Sequence, residues 1–456
     1  MHTADINDLF SRGVATFIDP TGEFRKKIEA KARGEYLDDI VIKLGVDPTR
    51  PDIHLGHAVA LRKLRAFQDI GCKVIFLIGD YTSQIGDPTG KSKVRPEISQ
   101  AEIEANMKTY LDQVGKILKT DPAVFSWIRN SDWFLNVTDI LPTNPNAQVR
   151  VGGLGFVKAG SFLGKADLFD NTRMQKTHLK KPGSLTVTFT NVLATLRHVT
   201  HARLIERDMF QERLKNGGEL YMHEMLYPVI QGIDSSVLAQ IYGSCDLEIG
   251  GTDQMFNMLM GRDIMKMNKQ PEQAVMAVDI LEGLDGKEKM SKSLDNYVSI
   301  ADEPADMYGK IMSVPDALIA RYFRLATPLA EGEVAAVERE LSAPATNPKD
   351  IKMRLARIIT EMYHGAKAAA DAEQAWVGTF SKGGIPEDVV EIAAGQATIV
   401  DAIMAAACAA SKTEARRLVE NGAVTHMESD CKITDIAHVP VPGTYRVGKM
   451  RFFRIA

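Results

Sequence analysis

Cysteine is scarce in this chain, and the four present, Cys72, Cys245, Cys408 and Cys431, lie far apart with no CxxC pair. Such spacing disfavours a disulfide framework or a structural zinc site and suits a reducing cytosol, so a cytoplasmic location is expected. Long apolar runs are missing as well. No stretch reaches the roughly 20 residues a membrane-spanning helix needs, so no membrane partner is expected. The opening MHTADINDLF has no basic stretch leading into an apolar one, and no signal peptide is read there. No HExxH pair occurs, no third ligand accompanies the histidines discussed below, and no permanent cofactor is expected. Repeats and low-complexity tracts are absent. Charge of one sign is not in excess either: a net charge of -4 leaves nucleic-acid binding to local patches.

What remains is ordinary globular composition, 45% hydrophobic and 25% charged, over 456 residues. That length suits about three domains. IVIKLGV (residues 40–46) reads as a buried strand, AVALRKLRAFQDIG (58–71) as a helix with Leu61, Leu64 and Phe67 in register and Gly71 as its stop, and KVIFLIGD (73–80) as a second buried strand. Strand, helix, strand at these lengths is a βαβ unit, hence an α/β fold with a parallel sheet, whose ligands bind beyond the carboxyl ends of the strands. DPTRPDIHLGH (47–57) sits at that end. His54 and His57 fall in the first turn of the helix, where free N–H groups and the dipole favour a phosphate. Gly56 lacks a side chain, so a flat group such as a nucleobase could approach the backbone.

GLDGKEKMSKSLDN (283–296) sets Lys287, Lys289 and Lys292 among glycines and serines, after the apolar AVMAVDILEGL. GDPTGKS (86–92) looks like a Walker A loop but has three residues, Asp87, Pro88 and Thr89, where that motif has four, so a P-loop ATPase is rejected. Tyr227, Gln231 and Asp234 fall at i, i+4 and i+7 and share one helical face. They suit an amino-acid pocket, which needs a carboxylate for an ammonium, an apolar slot for a ring and a polar pair at its far end.

The HLGH and KMSKS pair, in this order, resembles the signature of class I aminoacyl-tRNA synthetases. The runs GVDPTRPDIHLGHAVALRKLRAF, IGDYTSQIGDPTGKSKVRP, YPVIQGID, EIGGTDQMFN and GLDGKEKMSKSLDN together resemble the bacterial tyrosyl-tRNA synthetase family. The resemblance implies a Rossmann-like catalytic domain and a two-step reaction. L-tyrosine's carboxylate attacks the α-phosphate of ATP, giving tyrosyl-adenylate and pyrophosphate, and the terminal ribose of tRNA(Tyr) then takes the tyrosyl group. The carboxylate is already a nucleophile, so positioning and charge stabilisation are expected instead of a protein base. By resemblance, His54 and Thr49 bind phosphates, and His57 lies near the ribose and bridging oxygens. Lys289 and Lys292 close over the leaving pyrophosphate, and Lys91 and Arg95 match the family's other mobile phosphate contacts. Tyr227, Gln231 and Asp87 take the substrate ammonium, Asp234 takes the phenol hydroxyl, and Gln254 helps hold the tyrosine. Gly56, Gly250 and Gly251 let the backbone near the nucleotide, and Asp253 accepts from its ribose. Mg²⁺ is expected with ATP, held mainly by phosphate oxygens and water. One position departs from the family: where many members have a tyrosine for a second hydroxyl contact, this chain has Lys43.

The expected organisation is a catalytic domain over 1–296, with the KMSKS loop at 289–293 and an insertion at about 137–190. An α-helical anticodon-binding domain follows over 297–378, then a linker at 379–395 and a small α+β S4-like RNA-binding domain at 396–456. In that tail SKTEARRLVENGAV reads as a helix with Ala415, Leu418 and Val419 on one side and Lys412, Arg416 and Arg417 on another, and YRVGKMRFFRI as a basic strand pattern. The insertion, with basic residues such as Arg150, Lys158 and Lys165, is expected to hold strands and loops and to modify a surface near the dimer contact and the tRNA acceptor end. A homodimer is expected from the family. Two other readings are open: an RNA-binding helper derived from a synthetase, and another HxGH nucleotidyltransferase. Intact HLGH, KMSKS and Asp234 weigh against the first, and KMSKS with an RNA-binding tail against the second.

Overall fold

Six strands make the central sheet: β1 (Val14–Ile18), β2 (Val41–Val46), β3 (Lys73–Ile78), β4 (Phe125–Arg129), β5 (Leu247–Gly251) and β6 (Ala274–Val278). They stand in the order β1-β6-β5-β2-β3-β4 in a computed structural model that describes residues 3–88, 98–134, 148–150, 156–158, 187–205, 208–378, 389–409, 411–429, 431–448 and 451–455. Strands β2 to β6 run parallel, and β1 joins β6 antiparallel at the edge. FSWIR and AVMAV are buried at every position, as befits strands covered on both faces.

The chain builds outward from β2 to β3 to β4, then returns to lay β5 against the other side of β2. That reversal is the switch point at which doubly wound sheets bind ligands. The junction is short. Strands β2 and β3 pair from Val41↔Lys73 to Val46↔Ile78, whereas β2 and β5 pair only at Ile42↔Leu247 and Lys43↔Glu248. Beyond Lys43 and Glu248 the two strands part.

Helix α1 (Leu55–Asp69) packs Leu55, Leu61, Leu64 and Phe67 into the core. It starts three residues earlier than the expected 58, because His54 is extended (φ -116, ψ 170) and the turn forms at once after it. Gly71, with φ 88, ends it: Gly71 N–H bonds to Gln68 O and Cys72 N–H to Phe67 O. Helix α2 (Gln100–Val114) opens on a reciprocal cap, with Glu102 N–H donating to Ser99 Oγ and Ser99 N–H to Glu102 Oε2. Helix α3 (Met222–Tyr242) is largely buried and lies against α4 (Met255–Met267). Gly232 permits that approach, since a Cβ there would stand 2.7 Å from Ile264 and 3.1 Å from the Met260 backbone.

The chain divides into two compact units, Met1–Gly365 and Ala366–Ala456. The first therefore includes most of the expected helical domain, as α5 (Pro304–Met312), α6 (Ile319–Ala326), α7 (Glu331–Ser342) and α8 (Pro348–His364). Two arginines tie α6 to the rest of that unit through its last carbonyls. Arg12 donates to Arg324 O, Thr327 O and Leu329 O, and Arg62 of α1 donates to Ala326 O at 2.5 Å. Cations at a helix carboxyl end satisfy orphan carbonyls and complement the dipole.

The second unit begins with a helix, Ala366–Trp376, and holds a five-stranded sheet in the order Cys431–Ile433, Val424–His426, Gly443–Val447, Arg451–Ile455, Val390–Ile392. Its core includes Ile403, Val419, Tyr445 and Phe453. The expected helix is Lys412–Glu420, with Ala415 and Val419 buried and Arg416 and Arg417 exposed. YRVGKMRFFRI lies across two antiparallel strands, and Tyr445 stacks on its cross-strand partner Phe453 with ring centroids 5.0 Å apart. Most of the insertion lies outside the described residues; within it Gln148–Arg150 pairs antiparallel with Phe156–Lys158. Among the described residues no helix is long and apolar enough to cross a membrane.

Candidate functional site

The parting of β2 and β5 opens a cleft of about 1000 Å³. Thr49, His54, Gly56 and His57 line it from the β2 side. Asp87 and the α3 residues Tyr227, Gln231 and Asp234 line its depth, with Gly250, Gly251, Asp253 and Gln254 on the β5 side and Lys289 and Lys292 at the mouth. Lys91 and Arg95 lie outside the described residues.

Sequence proximity explains His54 and His57; a separate helix holds them still. From α2, Asn106 donates to Pro48 O (2.9 Å), Thr109 to Pro51 O (2.5 Å) and Gln113 to Pro51 O (2.8 Å), while Gln113 Oε1 accepts from Ile53 N–H at 2.7 Å. On the other flank, Leu55 N–H donates to Val298 O and Ile300 N–H to Ile53 O, so the segment after KMSKS brackets HLGH. The two imidazoles lie against each other with centroids 3.8 Å apart and planes tilted by 32°, and His57 Nδ1 accepts from His54 N–H at 3.3 Å. Burial, reinforced by Lys292 and Lys289, lowers His57 to about 3. Burial and then His57 and the same lysines push His54 far below the imidazole range. Both rings are therefore neutral at pH 7 and act as hydrogen-bonding groups, not cations. His54 Nδ1 has no hydrogen-bond partner among the described residues. Gly56 serves this packing directly: a Cβ there would stand 3.0 Å from the His54 ring and 3.5 Å from Met290 Cβ.

The positive charge at the mouth belongs to the lysines. Lys289 Nζ bonds to Asp253 Oδ2 at 2.9 Å. Lys292 Nζ has no hydrogen-bond partner among the described residues and lies 5.3 Å from the centre of the Tyr110 ring. Burial lowers Lys292 to about 8. A half-buried ammonium resting on an aromatic face is ready to exchange that contact for an anion.

Deeper in, polar side chains satisfy one another. Gln254 Nε2 donates to Asp87 Oδ2 (2.7 Å), and Asn257 Nδ2 to both Gln254 Oε1 and Gln231 Oε1 (3.0 Å each). Gln231 Nε2 donates to Glu248 Oε1 (3.0 Å), and Tyr227 O–H to Asp47 Oδ2 (2.8 Å). Gly251 leaves room for Asp253, whose Oδ1 would lie 2.7 Å from a Cβ. Asp234, 2% exposed, accepts from Trp133 Nε1 at 3.0 Å and from Asn130 Nδ2 at 3.4 Å. Burial raises its pKa to about 7 against the opposing pull of Lys43 and its two donors. Lys43 itself is wholly buried and pairs with Glu248 at 2.9 Å.

The cleft thus joins a cationic mouth to a depth ending in the buried carboxylate of Asp234, an arrangement that suits a phosphate-bearing nucleotide and a small polar-tipped ring. Sequence reasoning missed the α2 clamp, since Asn106, Thr109 and Gln113 form a polar stripe indistinguishable from a solvated face. It also missed the Trp133–Asn130 cradle. A sharper signal existed for Lys43 and Glu248: a charge inside an apolar strand demands a partner.

Comparison with known proteins follows the same lines. The family described as tRNA synthetases class I (W and Y) matches residues 37–141 and 184–381. The chain is 40% identical over 443 residues to a tyrosine–tRNA ligase of Thermotoga maritima, covering 95% of this chain and 96% of that one. It is 39% identical over 419 residues to one of Moorella thermoacetica, covering 91% and 87%. Among solved structures, it shares its fold with a truncated mitochondrial tyrosyl-tRNA synthetase of Aspergillus nidulans (TM-score 0.56, 20% identity, 82% of this chain and 93% of that). It shares it also with an Archaeoglobus fulgidus tyrosyl-tRNA synthetase complexed with L-tyrosine (TM-score 0.53, 18% identity, 82% and 100%).

Proposed function

Because the chain belongs to the class I tRNA synthetases of the W and Y type, we propose that its cleft activates L-tyrosine with ATP and passes the tyrosyl group to tRNA(Tyr). It is an ATP-dependent tyrosine–tRNA ligase that releases AMP and pyrophosphate. The observation that carries the reading is the buried carboxylate of Asp234 at one end of a cleft whose other end holds the His54–His57 pair and Lys289 and Lys292. A carboxylate in that position reads a phenol hydroxyl. A ring lacking the hydroxyl leaves it unpaired in a dry site, which costs free energy.

The chemistry follows from the groups at the mouth. The tyrosine carboxylate attacks the α-phosphate in line, and pyrophosphate leaves. His54 and His57, kept neutral, donate to phosphate oxygens without adding charge that the ground state would already use. Thr49 assists them. Lys292 exchanges the Tyr110 face for the leaving pyrophosphate. Lys289 exchanges Asp253, which is then free to accept from the ribose. Lys91 and Arg95 complete the grip. Asp87, Tyr227 and Gln231 orient the substrate ammonium with Gln254, and Gly56, Gly250 and Gly251 leave room for the nucleotide. No protein base is required. Mg²⁺ would enter with the phosphates of ATP, held mainly by their oxygens and water.

The same reading divides the chain into catalytic (1–296), anticodon-binding (297–378), linker (379–395) and S4-like RNA-binding (396–456) parts, acting in the cytoplasm. It pairs two copies through the region of helix Phe189–Leu196. That helix is apolar in sequence yet buries no residue, and Phe189 and Leu193 stand 75% and 45% exposed. The insertion at about 137–190 modifies that surface. Tyrosine-dependent ATP–pyrophosphate exchange tests the assignment. Exchange with tyrosine and little with phenylalanine or tryptophan is expected. Exchange supported by tryptophan, or by no amino acid, overturns it.

A further inference from the structure

We propose that Lys43, anchored by Glu248, is a positioning residue that acts through Asp234, keeping that carboxylate ionised to accept the substrate's phenol hydroxyl, and does not itself touch the hydroxyl. The inference rests on the tyrosine reading above.

The count of donors leads to it. An ammonium has three N–H groups. Those of Lys43 have three partners: Gln231 O at 3.1 Å, Ser235 Oγ at 2.9 Å and Glu248 Oε1 at 2.9 Å. None is left for a ligand, so Lys43 does not take over the second hydroxyl contact made by a tyrosine in many relatives. Its placement gives it another role. Gln231 and Ser235 lie one turn apart on α3, and Asp234 lies between them, so the ammonium docks on the turn that carries the carboxylate. Asp234 has one protein donor on each oxygen, Trp133 Nε1 and Asn130 Nδ2. An ionised carboxylate has about four lone-pair sites, which leaves room for the phenol O–H.

The groups that face Asp234 can be named element by element. Lys43 comes from β2 and Glu248 from β5; Asn130 and Trp133, beyond β4, are neutral donors. The Cys245 thiol beside Lys43 is pushed well above its usual range by burial and stays neutral. Lys43 remains protonated: burial acts to lower it, but Glu248 and then Asp234 outweigh that and raise it. Glu248 is held in turn by Gln231, Ser235 and Gln273. Burial alone favours protonated Asp234; Lys43 opposes this and Glu248 adds to it. The two partners of one ion pair thus push the same carboxylate in opposite directions.

That opposition makes the test. Measure the pH at which the KM for tyrosine rises in pyrophosphate exchange, with the ratio of kcat/KM for tyrosine over phenylalanine, in the full chain. Lys43→Met should move the midpoint up by about one pH unit or more and lower the selectivity at pH 7 about tenfold. Glu248→Gln should move the midpoint down. The double variant Lys43→Met/Glu248→Gln, which removes both partners of the ion pair together, should fall between Lys43→Met and the parent, and it serves if either single variant does not fold. A merely structural ion pair would shift both single variants the same way or neither. That result, or a double variant with the parent's midpoint, overturns the role of Lys43. Absence of tyrosine-dependent exchange in the parent chain instead overturns the tyrosine reading itself.

Discussion

The mouth of the cleft and its floor contain the same kinds of groups, used in opposite ways. At the mouth the polar groups are loosely held: Lys292 rests on an aromatic ring, Lys289 leans on the single carboxylate of Asp253, and His54 keeps a bare ring nitrogen. At the floor each ionised group is tied at several points, and Lys43 uses all its donors. Loosely held charge can follow a reaction as negative charge moves from ATP to pyrophosphate. Tightly held charge cannot move, which is what recognition of one hydroxyl demands. The mouth should therefore govern rate and the floor selection.

The largest expected effect that would break this contrast is at the mouth. Lys292→Ala should slow adenylate formation about 10²–10³-fold with tyrosine affinity nearly unchanged. Single-turnover kinetics with equilibrium tyrosine binding reads both, and weakened binding at a normal rate would erase the distinction. Next, Asp234→Ala should leave the nucleotide KM almost unaltered and reduce preference for tyrosine over phenylalanine by about 10–100-fold, as expected when a hydrogen bond worth ~1–3 kcal/mol is lost. Unchanged selectivity in pyrophosphate exchange refutes it. A milder change sharpens the comparison. Gln113→Leu keeps every group at the mouth but strips Ile53 N–H of its partner and leaves Pro51 O with Thr109 alone. A cost of about 1–2 kcal/mol in chemical denaturation is expected, with a several-fold fall in kcat and no change in tyrosine selectivity.

The smallest effect is in pH. His57 titrates near 3 and His54 lower still, so neither should mark the profile of kcat/KM for ATP between pH 5 and 7.5. Lys292 in the free enzyme loses its proton as pH rises through about 8, so the profile should fall on that side. With tyrosine saturating, so that Asp234 does not enter the profile, a bell with an acidic limb near pH 6 would mean a charged histidine at the mouth.

The sequence made some of this visible and hid the rest for physical reasons. The βαβ unit was legible because β2 and β3 are near-continuous apolar runs and α1 keeps its apolar residues at helical spacing. The start of α1 was misjudged by three residues, since Leu55-Gly56-His57 carries too little pattern to separate loop from helix. The tail's strand-rich end was legible, but the hairpin was not, as its one signal, Gly448 with φ 69, sits inside an otherwise unbroken strand pattern. HLGH and KMSKS declared themselves as strings. What steadies them did not, because Asn106, Thr109 and Gln113 look like any polar helix face until their partners are known. The neutrality of the histidines is likewise a property of burial, which no tetrapeptide records.

The fork between β2 and β5 has a mechanical consequence. Neighbouring strands are held at a nearly fixed spacing of about 4.8 Å, set by their shared hydrogen bonds. A slot that begins where such bonds stop has a fixed apex, at Lys43 and Glu248, and an opening angle determined by the twist of the sheet. The floor is then a gauge cut into hydrogen-bonded sheet, and a loop or hinge can tighten only its entrance.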